Sequence, residues 1–280
     1  MRDREASKFM EIKFDKFEEQ IFLNTVLIEN LTDAEFGTGF LIQKRIDDKT
    51  VKHLLFSNKH VFWGKRDKDN VLAEKDIRIT FHKTETDGSY KLGSTHKLNI
   101  HLKRGQIGYY EHPETSVDVA CINVSSVYLI IPVGMRSVEL EKFIDFNLDS
   151  IFAGQRIMFI GYPKGFFDTA NFLPVARSGF IASIPSVDFQ GKKQLLIDAQ
   201  VFPGSSGSPV FIKIGHAYKL LGIISEVPVR HLDFLELEVD KAKTTEKKEE
   251  GAEKVSIPIQ FIGLGMLYKN EIIKIVFDLA

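Results

Sequence analysis

From Gln20 onward the chain is a succession of short apolar or alternating runs, rich in Phe, Val and Ile and cut by turn residues, with no long helical period between them. Strands are predicted near 21–30, 36–46, 51–57, 76–83, 95–103 and 117–124, with Asp87-Gly88 marking a turn. A second group is predicted near 155–161, 174–184, 193–201, 209–214, 218–226 and 257–267. Parallel βαβ units need helical crossovers that these spacings do not provide. The expected fold class is therefore all-β: two packed antiparallel six-stranded β barrels followed by a C-terminal α-helix. The helix is predicted from Asn270, read as its N-cap, with Ile272, Ile275, Val276 and Leu279 on one face.

The predicted organisation is an N-terminal arm over 1–19, a first barrel over 20–130, a connection over 131–150 and a second barrel over 151–280. The arm carries Phe9, Ile12, Phe14 and Phe17 among charges of both signs, as a short amphipathic helix or a partly ordered segment. The connection includes a predicted short helix at 137–145. Residues 241–254, KAKTTEKKEEGAEK, form a charged insertion with five lysines, four glutamates and no large apolar residue, read as a solvated loop or a polar surface helix.

Thirty-seven basic residues against thirty-eight acidic ones leave a formal charge of −1, which gives no global attraction to nucleic acid or to an anionic membrane. No run approaches eighteen apolar residues, so no membrane span is expected, and the N-terminus lacks the apolar core of a signal peptide. The lone cysteine, Cys121, lies in the apolar run 117–124 and reads as a buried thiol without a disulfide partner. A cytoplasmic location is the resulting expectation.

Three segments carry chemistry. Gly204-Ser205-Ser206-Gly207-Ser208-Pro209 surrounds a serine with small residues, so a carbonyl can approach its hydroxyl while backbone N–H groups point outward. A plain Gly/Ser turn between strands has the same composition. The run Leu54–Phe62 ends a strand by presenting His60. In Ser116–Ile122, Asp118 sits among apolar residues, where an ionised carboxylate is costly without a partner, and a buried histidine is a natural one.

With Phe36–Ile42 added, these segments resemble the four signature stretches of chymotrypsin-like (trypsin-fold) serine proteases, in that family's order His, Asp, Ser. Gly154-Gln155-Arg156-Ile157-Met158-Phe159-Ile160-Gly161-Tyr162-Pro163, Ala176–Ile181, Ile197–Gln200 and Gly263–Met266 are similar to the bacterial HtrA-type branch. The resemblance implies that Ser206 is the nucleophile, His60 the general base and then acid, and Asp118 the residue that orients His60. It implies an oxyanion hole from the N–H groups of Gly204 and Ser206, with no metal and no organic cofactor. The function implied is serine endopeptidase hydrolysis through an acyl-enzyme, acting on a protein or peptide substrate. A regulatory partner is left open. A non-catalytic trypsin-fold module that binds a peptide or a partner is the alternative.

Departures from the family narrow what carries over. Ser205 stands where digestive proteases have an aspartate that receives a freed N-terminus, which argues against activation by cleavage. No PDZ domain follows the second barrel in this sequence. The resemblance implies that substrate adds as a strand along 222–226, touching Ile223, Ile224 and Ser225, with Gln200 near the base of the pocket for the residue before the cut bond. Gln200 is neutral, so a preference for Lys or Arg is not expected. An α/β-hydrolase elbow fits poorly, because Pro209–Ile212 continues as a strand and no Asp lies between Ser206 and His231. His82, His96 and His101 match no known zinc spacing.

Overall fold

A computed structural model describes residues 14, 16–67, 70, 73–84, 89–130, 137–147, 150–163, 166–226, 229–231, 259–261 and 263–280. Most of the arm, the Asp87-Gly88 turn and the insertion at 241–254 lie outside the described residues.

The first half opens with helix α1 (Phe17–Asn24) and strands β1 (Thr25–Asn30), β2 (Glu35–Arg45) and β3 (Val51–Ser57). Helix α2 (Lys59–Asp67), broken at Gly64, comes next, then β4 (Glu74–Thr84), β5 (Tyr90–Lys103), β6 (Tyr109–Glu111), β7 (Ala120–Asn123) and helix α3 (Ser125–Ile130). These strands form one antiparallel sheet in the order β5-β4-β1-β2-β3-β7-β6. It has seven strands where six were expected, because the three residues of β6 add an edge beyond β7.

Two predicted boundaries shift for local reasons. The strand expected over 21–30 begins only at Thr25. Glu18 and Glu19 occupy the first turn of α1, where carboxylates favour a helix start, and Ile21 and Leu23 are buried. The strand expected over 117–124 begins at Ala120, because the carbonyl of Asp118 is taken by Asn58 Nδ2 at 2.7 Å instead of by a ladder partner.

The second half contains β8 (Arg156–Gly161), β9 (Val175–Ile181), β10 (Gln194–Asp198), β11 (Pro209–Ile214) and β12 (Ala217–Glu226). A small pair, β13 (Val229–His231) and β14 (Ile259–Phe261), precedes β15 (Leu264–Lys269) and helix α4 (Asn270–Leu279). Six of these strands close into a barrel, β10-β15-β12-β11-β8-β9.

Each half has its own apolar cluster, around Ile28, Leu41, Phe62 and Trp63 in the first and Phe159, Leu195, Ile197 and Leu221 in the second. A third cluster spans both: Phe40, Phe56 and Val119 meet Ile160, Phe211, Ile223 and the inner face of α4. The segment 137–144 stitches the halves together by bridging Val138 to Ile42 and Phe143 to Leu220. Those two bridges hold the segment extended, so the helix expected at 137–145 shrinks to a 3₁₀ turn over Leu140–Lys142.

The α4 prediction needs two corrections. Asn270 is not the N-cap. It is the first helical residue and fully buried, with Nδ2 donating to the carbonyls of Ile144 and Leu220 at 2.8 Å each. The inward stripe is Ile272, Ile273, Val276 and Phe277, while Ile275 and Leu279 are exposed. Helical periodicity allows either stripe, and the one packed on the shared core includes Ile273 and Phe277.

Candidate active site

His60 follows β3 directly, as the second residue of α2. Asp118 sits in the turn before β7, between the buried Val117 and Val119. Since β3 and β7 are paired, with Ser57 opposite Ala120, the fold sets the two residues side by side. Asp118 Oδ1 accepts the backbone N–H of His60 at 3.0 Å, and Oδ2 lies 2.5 Å from the ring Nδ1. The His60 side chain is 13% exposed and that of Asp118 6%, so water barely competes for the pair. A carboxylate on Nδ1 favours the tautomer with its proton there and leaves Nε2 as the lone-pair nitrogen.

The turn that carries Asp118 is held from two sides. Besides Asn58 Nδ2, Lys59 Nζ donates to the carbonyls of His112 and Glu114 at 3.1 and 3.3 Å. From the second half, Tyr268 Oη accepts the N–H of Asp118 at 3.2 Å and donates to the carbonyl of Ser116 at 3.4 Å. Sequence reasoning assigned no role to Asn58, Lys59 or Tyr268. The one available signal was that Asn58 and Lys59 are polar residues inside the run that presents His60.

Ser206 lies in a double turn. The N–H of Ser205 donates to the carbonyl of Phe202 at 2.9 Å, and that of Ser208 to the carbonyl of Ser205 at 3.0 Å. Gly204 (φ 88°) and Gly207 (φ 85°) stand at the third positions of these turns, where the type II pattern requires the left-handed region; Pro203 stands at the second position of the first. The N–H of Gly207 donates to the carbonyl of Ile224 at 3.1 Å. Thus Ser205, Gly207 and Ser208 spend their N–H groups inside the protein. Among the described residues no acceptor is recorded for the N–H of Gly204 or Ser206.

The loop is docked on β2. The N–H of Thr38 donates to the carbonyl of Ser206 at 2.9 Å, and its hydroxyl donates to the carbonyl of Gly204 at 2.8 Å. Ser57, three residues before His60, donates its hydroxyl to the carbonyl of Thr38 at 2.6 Å. Gly207 has no room for a side chain, since a Cβ would collide with the Thr38 carbonyl and Ser57 Oγ. The Ser206 loop and the strand end that presents His60 therefore share Thr38 and Ser57 as neighbours. No hydrogen bond between Ser206 Oγ and the His60 ring is recorded among the described residues.

The expected substrate-contacting residues fall in different settings. Gln200 is exposed. Ile223 and Ile224 are fully buried and paired on both sides: Ile223 stands between Pro209 and Tyr268, and Ile224 bonds the main chain of Gly207 and Ser208 while opposing Leu267. Ser225 is buried at a bulge, with its hydroxyl donating to the carbonyl of Met266 at 3.3 Å. Ser205 is buried and neutral, in a place where a carboxylate would need a cation. Burial pushes the Cys121 thiol well above its ordinary range, which makes it inert. Among the described residues no three His, Cys, Asp or Glu side chains are grouped to hold a metal, and His101 is engaged with Asp76 and Glu74.

The sequence model of the trypsin-like peptidase domain matches residues 37–223, more than half of the chain. The chain belongs to the trypsin-like peptidase domain family. The match begins at Gly37, beside the residue that docks the Ser206 loop, and ends at Ile223 in the strand that braces it. No curated protein matches the chain. Among solved structures, Deg5 is similar at 14% identity with a TM-score of 0.47, over 74% of this chain and 81% of that one. Rv3671c from M. tuberculosis H37Rv, in an inactive form, is similar at 14% identity with a TM-score of 0.46, over 92% of this chain and 88% of that one.

Proposed function

We propose that this trypsin-like peptidase domain is a serine endopeptidase of the HtrA-type branch, with Ser206, His60 and Asp118 as its triad. The observation that carries the reading is the double hold of Asp118 on His60, on main chain and ring at once, beside a serine loop docked on Thr38, whose own carbonyl accepts the hydroxyl of Ser57 three residues before His60. A hydroxyl is a weak nucleophile until a neutral imidazole takes its proton, and the imidazole must be held in the tautomer that accepts it.

In the proposed reaction Ser206 Oγ attacks the carbonyl carbon of the scissile peptide and its proton passes to His60 Nε2. The oxyanion that forms receives the N–H groups of Gly204 and Ser206, the two in the loop with no acceptor among the described residues. The imidazolium then gives its proton to the departing amine as the C–N bond breaks, leaving an acyl-enzyme. Water, with His60 again as base, releases the acid. Serine–histidine hydrogen bonds of free enzymes are often long and tighten only with substrate, so the unbonded Ser206 Oγ is compatible with this role.

A peptide adding as a strand would pair from Ser225 outward, because the main chains of Ile223 and Ile224 are already engaged. The test is covalent. A fluorophosphonate probe is expected to add once per chain by intact mass, and Ser206→Ala is expected to abolish the adduct. Labelling that persists in Ser206→Ala, or a folded wild-type chain that never labels, overturns the assignment and favours the non-catalytic module.

A further inference from the structure

Thr38 makes three hydrogen bonds to the second half, with Ser206, Gly204 and Tyr162. It is fully buried in β2, between Gly37 and Gly39. Its N–H and hydroxyl donate to the carbonyls of Ser206 and Gly204, and its own carbonyl accepts the hydroxyl of Ser57. The hydroxyl oxygen also accepts the N–H of Tyr162 at 3.0 Å, from the residue just after β8. A backbone N–H can only donate, so Oγ1 is the acceptor there and its single proton is directed at the carbonyl of Gly204. The polarity of the whole chain, Tyr162 to Thr38 to Gly204, is thereby fixed.

The glycines around Thr38 are the room this arrangement needs. A Cβ on Gly161 would strike Thr38 Oγ1 and Ser208 Oγ, and one on Gly207 would strike the Thr38 carbonyl. The two carbonyls Thr38 holds, those of Gly204 and Ser206, bracket the peptide between Ser205 and Ser206 whose N–H is one oxyanion donor. The other donor, the N–H of Gly204, belongs to the residue whose carbonyl the hydroxyl grips. Fixing both carbonyls restricts rotation of the peptides from which the two N–H groups project.

We propose that Thr38 is a positioning residue for the oxyanion donors, its hydroxyl clamping the Gly204 carbonyl so that the N–H groups of Gly204 and Ser206 converge on one point. The proposal rests on the peptidase reading for its catalytic consequence and on hydrogen bonding alone for its structural one. Thr38 touches no substrate and acts through the loop. Donors preset for the oxyanion serve the transition state more than the ground state, so loosening them lowers kcat and leaves KM nearly unchanged.

The test uses Thr38→Val, which keeps the shape and removes the hydroxyl, Thr38→Ser, which restores the hydroxyl, and Thr38→Ala as a second deletion should Val not fold. On the full chain, kcat and KM for a peptide amide are measured together with the affinity for a peptide boronic acid that mimics the tetrahedral intermediate. Amide hydrogen exchange is followed at residues 204–208. Loss of the hydroxyl is expected to lower kcat by about tenfold or more with KM within about twofold, to weaken the boronic acid in proportion, and to speed exchange of the loop; Thr38→Ser recovers all of these. A purely structural role moves the melting temperature but not the split between kcat and KM or the boronic acid affinity, and that result overturns the proposal. So does a folded hydroxyl-less variant with wild-type kcat and exchange. A wild-type chain that neither labels nor turns over sinks the peptidase reading instead, while exchange still reports whether Thr38 holds the loop.

Discussion

Asp118 holds His60 by two different handles, the main-chain N–H through Oδ1 and the ring Nδ1 through Oδ2. The first bond fixes where the helix start stands, and the second fixes how the ring is turned. Asp118→Asn keeps the size and can keep an acceptor for the main-chain N–H. Its amide nitrogen would instead present a donor to Nδ1, which favours the tautomer that cannot accept Ser206's proton. We expect Asp118→Asn to fold with an unchanged circular dichroism spectrum and to lose about 10³–10⁴ in peptide turnover. Near-normal turnover in the folded variant would mean that another carboxylate orients His60.

Gly207 tests the docking of the serine loop in a different way. Its φ of 85° disfavours any side chain, and a Cβ there would run into the carbonyl of Thr38 and Ser57 Oγ, both held in the buried interior. Gly207→Ala is expected to destabilise the chain by about 1–3 kcal/mol and to reduce fluorophosphonate labelling of the fraction that stays folded. Thermal unfolding and intact mass on the same sample give both readouts. A stable variant that labels like wild type would show that the loop does not sit on Thr38.

Much of this was legible in the sequence, and the parts that were not share a cause. The runs that became β2, β3, β11 and β12 alternate or are continuously apolar and end in turn residues, so their bounds were readable to within a residue or two. His60, Asp118 and Ser206 stand out as candidates because the segments around them resemble, in order, the signature stretches of trypsin-fold proteases; taken alone, the Ser206 run also reads as a plain Gly/Ser turn. Their contacts were not readable, because Thr38, Asn58, Lys59 and Tyr268 act through partners far along the chain: Tyr268 meets Asp118 across 150 residues and Thr38 meets Gly204 across 166. Propensity reports on neighbours in sequence and says nothing about such pairs. The same limit explains the 137–144 segment, whose extended course is set by its bridges to Ile42 and Leu220.

His82 yields a prediction about pH. Its ring is buried on β4 against Phe172, neither nitrogen has a hydrogen-bond partner among the described residues, and burial pushes its pKa down from about 6.5 to about 4. The unfolded chain binds a proton at this histidine below about pH 6.5, while the folded chain refuses it until about pH 4. Stability from this group is therefore complete above pH 6.5 and is lost as pH falls from 6.5 through 4, at most about 3 kcal/mol in all. His82→Phe removes the proton linkage and keeps an aromatic ring against Phe172. Urea unfolding at pH 7.5 and pH 4.5 should show a smaller drop in the variant than in wild type. Equal drops would mean that the ring is hydrated or partnered in solution and titrates normally.

The last prediction separates the two readings of α4. A helix that faced the core through Ile272, Ile275, Val276 and Leu279 would suffer most from truncating Ile275. In the structure Ile275 is 41% exposed, whereas Ile273 is fully buried in the cluster shared by both halves. Ile273→Ala removes packed methyl groups and leaves a cavity beneath the helix, so a loss of about 2–5 kcal/mol is expected. Ile275→Ala removes only partly buried surface and raises helix propensity, so its effect should stay within about 1 kcal/mol of zero. Asn270→Ala belongs with Ile273: it leaves the carbonyls of Ile144 and Leu220 without the donor that latches the first turn of the helix to the second half, and about 1–3 kcal/mol should be lost. Denaturant unfolding of the three variants ranks them directly. If Ile275→Ala costs as much as Ile273→Ala, the helix is rotated from the orientation described, and its place in the cluster shared by both halves must be redrawn.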